Sequence, residues 1–285
     1  MTYVKSDKKI FTVLNDLINI SAASIRIRRV IIKEKFRNYE LRPQLHLFIS
    51  APFGQFKSTL LNEISKSYPT TLLTNLSFPG LVGSIDRTTH QIIPGSAWEA
   101  RNKILLLDEF TATRQSMVTD ALLQLLENQF YSRKIATFSA DQEEIDDDLY
   151  FKVRKGAMEL RTRFAAIFAT MKDIRYMRKQ VTRALISRCI PIRYEMDKSE
   201  VDQVLDGKRI LEPKQYKTKE KVVVKNRDYQ RIREIIDEGI EIEKVKKPEE
   251  ILARTVGDCC RVFAVLGEHD ENLYRWVLRL KSTCI

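Results

Sequence analysis

The sequence predicts an α/β protein built on a parallel sheet, followed by a smaller helical unit. Three observations carry this. Short apolar runs ("LHLFIS", "KILLLDEF", "FAAIFATM") have the length and composition of buried strands. Stretches with helical spacing lie between them, and strands alternating with helices imply parallel pairing. After Tyr194 the chain turns charged and helical, and it is punctuated by Gly207, Pro213 and Pro248.

Taken in order, residues 9–37 read as helical segments with apolar and basic faces, and Pro43 ends that pattern. Leu45–Ser50 is the first buried strand. It runs into the loop "APFGQFKST" and then the helix "KSTLLNEISKSY", where Leu60, Leu61 and Ile64 share a face. Lys103–Phe110 is the second strand, and the periodic "SMVTDALLQLLENQF" is its helix. "DQEEIDDD", with six acids in eight positions, reads as a solvated loop. "LYFKVRKGAMELRTRF" reads as strand, turn, strand, with Gly156 at the turn. Phe164–Met171 is the third buried strand, and "RALISRCIPIRY" ends in a fourth. Beyond it, "RDYQRIREIIDEGI" is one helix, and residues 249–283 make two or more, broken at Gly267. The expected units are a basic helical extension over 1–40, an α/β core over 41–195 and a smaller helical unit over 196–285.

The 285 residues carry a net charge of +11, which points to a polyanionic partner such as nucleic acid. Nine Lys/Arg against four Asp/Glu fall in residues 1–40. Cys189, Cys259, Cys260 and Cys284 lack zinc-type spacing and read as reduced, mostly buried thiols. No apolar run reaches the roughly 18 residues of a membrane helix, and the N-terminus has no secretory pattern. The expectation is a cytoplasmic protein without membrane contact.

The loop between the first strand and its helix is the chemical centre. A phosphate loop binds through converging backbone N–H groups with a helix N-terminus behind them. Lys57 supplies the point charge for phosphate, and Ser58 supplies the hydroxyl for Mg2+. Pro52, Phe53, Gly54, Gln55, Phe56 and Thr59 complete the expected nucleotide contacts. The loop departs from the usual glycine pattern at Ala51 and Phe56. If Phe56 has a negative φ and its ring points away, phosphate is not blocked. Asp108 and Glu109 end the second strand, 51 positions after Lys57. An Asp there anchors a Mg2+ shell, and a Glu beside it polarises the attacking water.

"APFGQFKSTLL", "LLLDEF", "FAAIFAT" and "LISRC" occur in the order found in AAA+ ATPases. The chain resembles the helix-2-insert clade of that group, closest to the MCM replicative helicases, over about Leu45 to Tyr194. "SFPGLVGSIDRTTHQIIPGS" looks like the clade's insert, and "VRKGAMELRTRFAAIFATM" like its presensor-1 hairpin and sensor-1 strand. The resemblance implies a P-loop NTPase three-layer sandwich with a helical lid, taking ATP and Mg2+. By its pattern, Lys57, Ser58 and Asp108 hold phosphate and Mg2+, and Glu109 is the catalytic base. Thr170 stands at sensor 1, where the family mostly has Asn, and Arg188 is the arginine finger toward a neighbouring subunit. Arg261, with Arg254 as its competitor, stands at sensor 2.

The resemblance also implies a ring, a hexamer, acting on single-stranded or forked DNA in replication. Arg154 and Lys155 at one hairpin tip, and Arg87 near another, are the expected DNA contacts, through charge rather than base reading. Two other readings of the same residues stand beside this one. One is a protein-remodelling ATPase like the MoxR chaperones or enhancer-binding activators. The other is an ATP-switched DNA-binding initiator with slow turnover.

Overall fold

The computed structural model describes residues 9–74, 76–86, 88–89, 91–110, 116–135, 142–154, 156–174 and 180–283. The chain begins with α1 (Lys9–Ser24), β1 (Arg29–Lys33) and β2 (Asn38–Leu41). Next come β3 (Leu47–Ser50), α2 (Lys57–Ser67) and β4 (Thr70–Leu73). A small ribbon follows, with α3 (Phe78–Val82), β5 (Gly83–Ile85), β6 (Ile92–Pro94) and α4 (Ser96–Glu99). Then come β7 (Ile104–Leu107), α5 (Ser116–Asn128), and the strands β8 (Phe130–Lys134), β9 (Gln142–Asp146), β10 (Leu149–Arg154) and β11 (Ala157–Arg161). The α/β half closes with β12 (Ala165–Thr170), α6 (Gln180–Ser187) and β13 (Ile190–Arg193). The remainder is α7 (Lys198–Leu205), β14 (Lys221–Val224), α8 (Asn226–Glu243), α9 (Leu252–Leu266) and α10 (Glu271–Ser282).

The central sheet has five strands, all parallel, in the order β13-β3-β12-β7-β4. This is an α/β fold compatible with a P-loop layout, and the four strands read from the apolar runs are four of its five. β3, β7 and β12 are buried at every position, because both faces of the sheet are covered. One apolar cluster joins α1, one face of the sheet and the C-terminal helices, and a second fills the space under α3 to α6. A fully buried Leu, Ile or Phe contributes about 1.5–3 kcal/mol, so these two cores fix the sheet. No described helix is long and apolar enough to cross a membrane.

Three expectations change. The helix expected over 9–37 ends at Ser24, and the basic segment after it is the β1–β2 hairpin. Its residues alternate exposed and buried, with Val30 and Ile32 inward and Arg29 and Lys33 outward. That period of two, in β-branched residues, suits a strand better than a helix. The C-terminal part also contributes a strand. β14 pairs in parallel with β1, so this part is not purely helical.

The acidic run is also ordered. Residues 142–146 form β9, paired with β10. Cross-strand and neighbouring cations answer its charge: Glu143 faces Lys152 and Arg154, Asp146 pairs with Arg101, and Glu144 accepts from the Trp98 indole at 2.6 Å. The expected strand–turn–strand at 150–161 is present as β10–β11, with Gly156 at φ 74. The segment likened to an insert contains the short antiparallel pair β5–β6. A Cβ at Gly95 would collide with the backbone of Gly83 and Leu81, so only glycine lets that ribbon fold back.

Candidate functional site

Parallel pairing brings the C-terminal ends of β3, β12 and β7 side by side. β12 lies between the loop-bearing strand and the acid-bearing strand. Thr170 therefore sits between Lys57 and the Asp108–Glu109 pair, with its carbonyl accepting from Ala51 N–H at 3.2 Å. Ligand sites in open α/β sheets form at this end of the strands.

The loop is closed on itself. The Lys57 ammonium donates to the carbonyls of Ala51 and Pro52, both at 2.8 Å. Burial lowers its pKa below the ordinary lysine value, against the opposing pull of Asp108 and Glu109. The Ser58 hydroxyl lies 3.4 Å from Asp108 Oδ2, the one hydrogen bond between the loop–helix segment 51–59 and the acid-bearing segment 104–109 among the described residues. Asp108 Oδ1 accepts the Glu109 amide at 2.8 Å, and Glu109 itself sits at φ 49. That backbone kink lifts the second carboxylate off the strand axis into solvent. Thr170 is 1% exposed, and its hydroxyl accepts the Lys172 amide at 3.1 Å, which leaves its own hydrogen to donate.

Phe56 does not have the negative φ that the sequence reading required. It lies at φ 54, ψ 30, in the left-handed region, as a glycine there would. Such a conformation costs a non-glycine residue about 1–2 kcal/mol. The ring compensates by packing against the apolar core. Gly54 takes φ 77 with open space around it, and Phe53 at the tip is 89% exposed.

Residues that the sequence reading passed over shape the loop from a distance. Tyr194, at the end of β13, donates its phenol to Gln55 O at 2.8 Å, and the Gln55 side chain accepts the Met196 amide. Ser50 donates to Lys172 O at 2.9 Å. Only the pairing of β13 with β3 brings Tyr194 there, so no local signal marks it. A cleft of about 350 Å3 adjoins the acids, walled by residues that include Leu73, Leu107, Asp108, Glu109, Thr170 and Lys172. The loop residues 52–59 are not among its walls.

Arg188 and Arg261 are not at this end. Both stand near the N-terminal ends of the strands. Arg188 lies between α6 and β13, clamped by Glu127 on α5, with a further bond from Nη1 to Ala184 O at 2.8 Å. Arg261 on α9 donates Nε to Arg42 O at 2.9 Å and pairs with buried Asp258. Lys281 closes the same cluster, 2.6 Å from Asp258 and 3.1 Å from Cys189 O. Neither arginine reaches Lys57 of its own chain. Arg254, the competing residue, belongs to the same surroundings, where burial and then Arg188 lower its pKa.

Arg154 is described, and Glu143 neutralises it. Lys155 and Arg87 lie outside the described residues, as does Cys284. Cys189, Cys259 and Cys260 are buried and unpaired, and burial raises all three pKa values, so they are structural thiols. Among the described residues no cluster of three His, Cys, Asp or Glu side chains could hold a metal unaided.

No protein-family model matches the chain, and no curated protein matches it.

Proposed function

We propose that the chain binds and hydrolyses ATP with Mg2+, as an MCM-like AAA+ motor that assembles into a ring, a hexamer, and translocates along DNA in replication. The observation that carries this is the 3.4 Å approach of Ser58 to Asp108, with Lys57 beginning the same helix. A hydroxyl and a carboxylate so placed suit a hard cation that keeps most of its shell from water and phosphate. Among the described residues the Lys57 ammonium donates to two neutral carbonyls, and phosphate oxygens would satisfy it better.

The roles divide by position. Loop amides 54–59 and Lys57 bind phosphate, and Ser58 and Asp108 hold the cation. Glu109, open to solvent, takes the proton of the attacking water. Thr170 donates its free hydroxyl hydrogen toward the same space. MgATP supplies the phosphoanhydride and the charge neutralisation that its cleavage needs. Arg188 is at the far end of the sheet, so it serves a neighbouring copy rather than its own loop. Arg261, in the same buried surroundings, supports that edge.

One observation favours the protein-remodelling alternative. The Arg154–Glu143 pair weakens the positive charge at the β10–β11 tip.

The test is the ATPase rate with and without single-stranded DNA. Lys57→Ala should lower the rate on the order of 10²-fold or more. Glu109→Gln should retain ATP binding and lose turnover, and with ATP it should accumulate a ring by mass measurement. Equal, slow hydrolysis by the wild type and Lys57→Ala would remove the catalytic reading. Stimulation by an unfolded protein instead of DNA would select the alternative.

A further inference from the structure

The basic stretch after α1 has no place in the nucleotide site, and the structure turns it into a surface. β14, β1 and β2 form a three-stranded sheet with one face on the core. Val30, Ile32, Leu41 and Val224 face inward. The register puts Arg29 beside Lys221 and Lys33 beside Asn38 on the opposite, exposed face, with Ile31 and Val223 between them. Arg29 and Lys221 are like charges on neighbouring strands; Glu40 on β2 answers Arg29, and Lys221 has no ion pair among the described residues.

The β1–β2 turn continues the pattern. The Glu34 amide bonds to Arg37 O at 2.9 Å, which leaves Lys35 and Phe36 as the two residues of the tip. Phe36 is 89% exposed, with the Lys35 ammonium 5.3 Å from its ring centroid. Arg37 stacks on Tyr39 at 4.7 Å. Over this face and tip stand Arg29, Lys33, Lys35, Arg37 and Lys221, against Glu34 and Glu40. Glu34 is partly covered and accepts from Tyr39 at 3.1 Å, and Glu40 lies 3.7 Å from Arg29. Lys33, Lys35 and Lys221 are in none of the ion pairs among the described residues.

We infer that the outer face of the β14-β1-β2 sheet and the Phe36 hairpin tip bind single-stranded nucleic acid. The cations track the phosphates, and the free ring of Phe36 offers a stacking platform for a base. Both halves are needed by the chemistry. A positively charged groove binds the backbone without sequence preference, and an exposed aromatic takes any base by its π-face. A duplex hides those faces, so the exposed ring favours the single strand. This surface does not depend on the nucleotide site, and it is separate from the β10–β11 tip.

The experiment is fluorescence anisotropy of a labelled single-stranded oligonucleotide with the full chain, without nucleotide, across a salt series. Phe36→Ala should weaken binding roughly tenfold, as expected when one base stack is removed. Lys33→Glu with Lys35→Glu should weaken it further and reduce the salt slope by about 0.7 for each phosphate no longer neutralised. These three positions and the control, Lys198→Ala on α7, are exposed, and circular dichroism checks the fold of each variant. Lys198→Ala should bind the oligonucleotide like the wild type, and because no nucleotide is present the surface stands even if ATP hydrolysis fails. Unchanged affinity in the Phe36 and Lys33/Lys35 variants overturns the inference. So does binding that depends on Arg154 alone, or a wild-type chain that binds phosphatidylserine vesicles and not the oligonucleotide.

Discussion

At the C-terminal end of the parallel strands, Asp108 and Glu109 wall an open cleft, and Lys57 begins the neighbouring α2 with two backbone carbonyls as its hydrogen-bond partners. At the other end, Arg42, Asp258, Arg261 and Lys281 are packed under α9 and α10, with the side chains of Asp258, Arg261 and Lys281 less than a tenth exposed. Burial and then the neighbouring Arg261 lower the Arg42 pKa to about 9, while Asp258 pulls the other way. His46, at the start of β3, is pushed well below its ordinary value by burial, and so stays neutral. The sealed end thus pairs Arg261 and Lys281 with Asp258 inside the fold, and removing that carboxylate leaves both cations stranded. The open end holds charges that a ligand can complete, and changing one should alter binding more than folding.

The largest expected effect breaks the sealed end. Asp258→Ala leaves Arg261 and Lys281 buried without a counter-charge and should cost about 3–5 kcal/mol, read by denaturant unfolding. The same residue sets an acid limit. Burial alone would raise its pKa, but Lys281 and Arg261 override this and hold it below the ordinary 3.8. A depressed carboxylate contributes stability that is complete above its unfolded value and lost as pH falls through the folded one. The unfolding midpoint should therefore drop below pH 3.8, and Asp258→Asn should flatten that dependence.

Next comes ligand stabilisation of the open end. MgATP at a hundredfold excess over its Kd should add about 2.7 kcal/mol to the unfolding free energy. Lys57→Ala should abolish that gain while leaving the ligand-free stability close to wild type. A smaller effect sharpens the loop geometry. Phe56→Gly should be more stable than Phe56→Ala by about 1 kcal/mol, because both lose the ring and only Ala keeps the left-handed strain. The smallest lies at the partly exposed Arg188–Glu127 pair. Glu127→Gln should change stability by less than about 1 kcal/mol. A loss as large as that of Asp258→Ala would place this pair with the sealed cluster instead.

Much of the open end was legible in the sequence. β3, β7, β12 and β13 follow from apolar runs too short for helices, and the loop and acids sit at their ends. Their meeting across β12 needed only parallel pairing. Phe56 was legible as a departure, but its φ was not, because strain there is set by where the ring finds the core. The acidic run misled, since a cluster of like charges reads as solvated until Lys152, Arg154 and Arg101 are brought beside it.

The sequence by itself determined the parallel α/β core, the position of Lys57 and Ser58 at a helix start, and the placing of Asp108 and Glu109 at a strand tip. These are properties of short windows, where side-chain period and composition decide the local conformation. Only the tertiary structure decided that Arg261 and Asp258 form a buried pair, that Tyr194 props the loop before α2, and that β14 returns to pair with β1. Each joins segments far apart in the chain, and a one-dimensional pattern carries no record of which distant strand or helix closes against it.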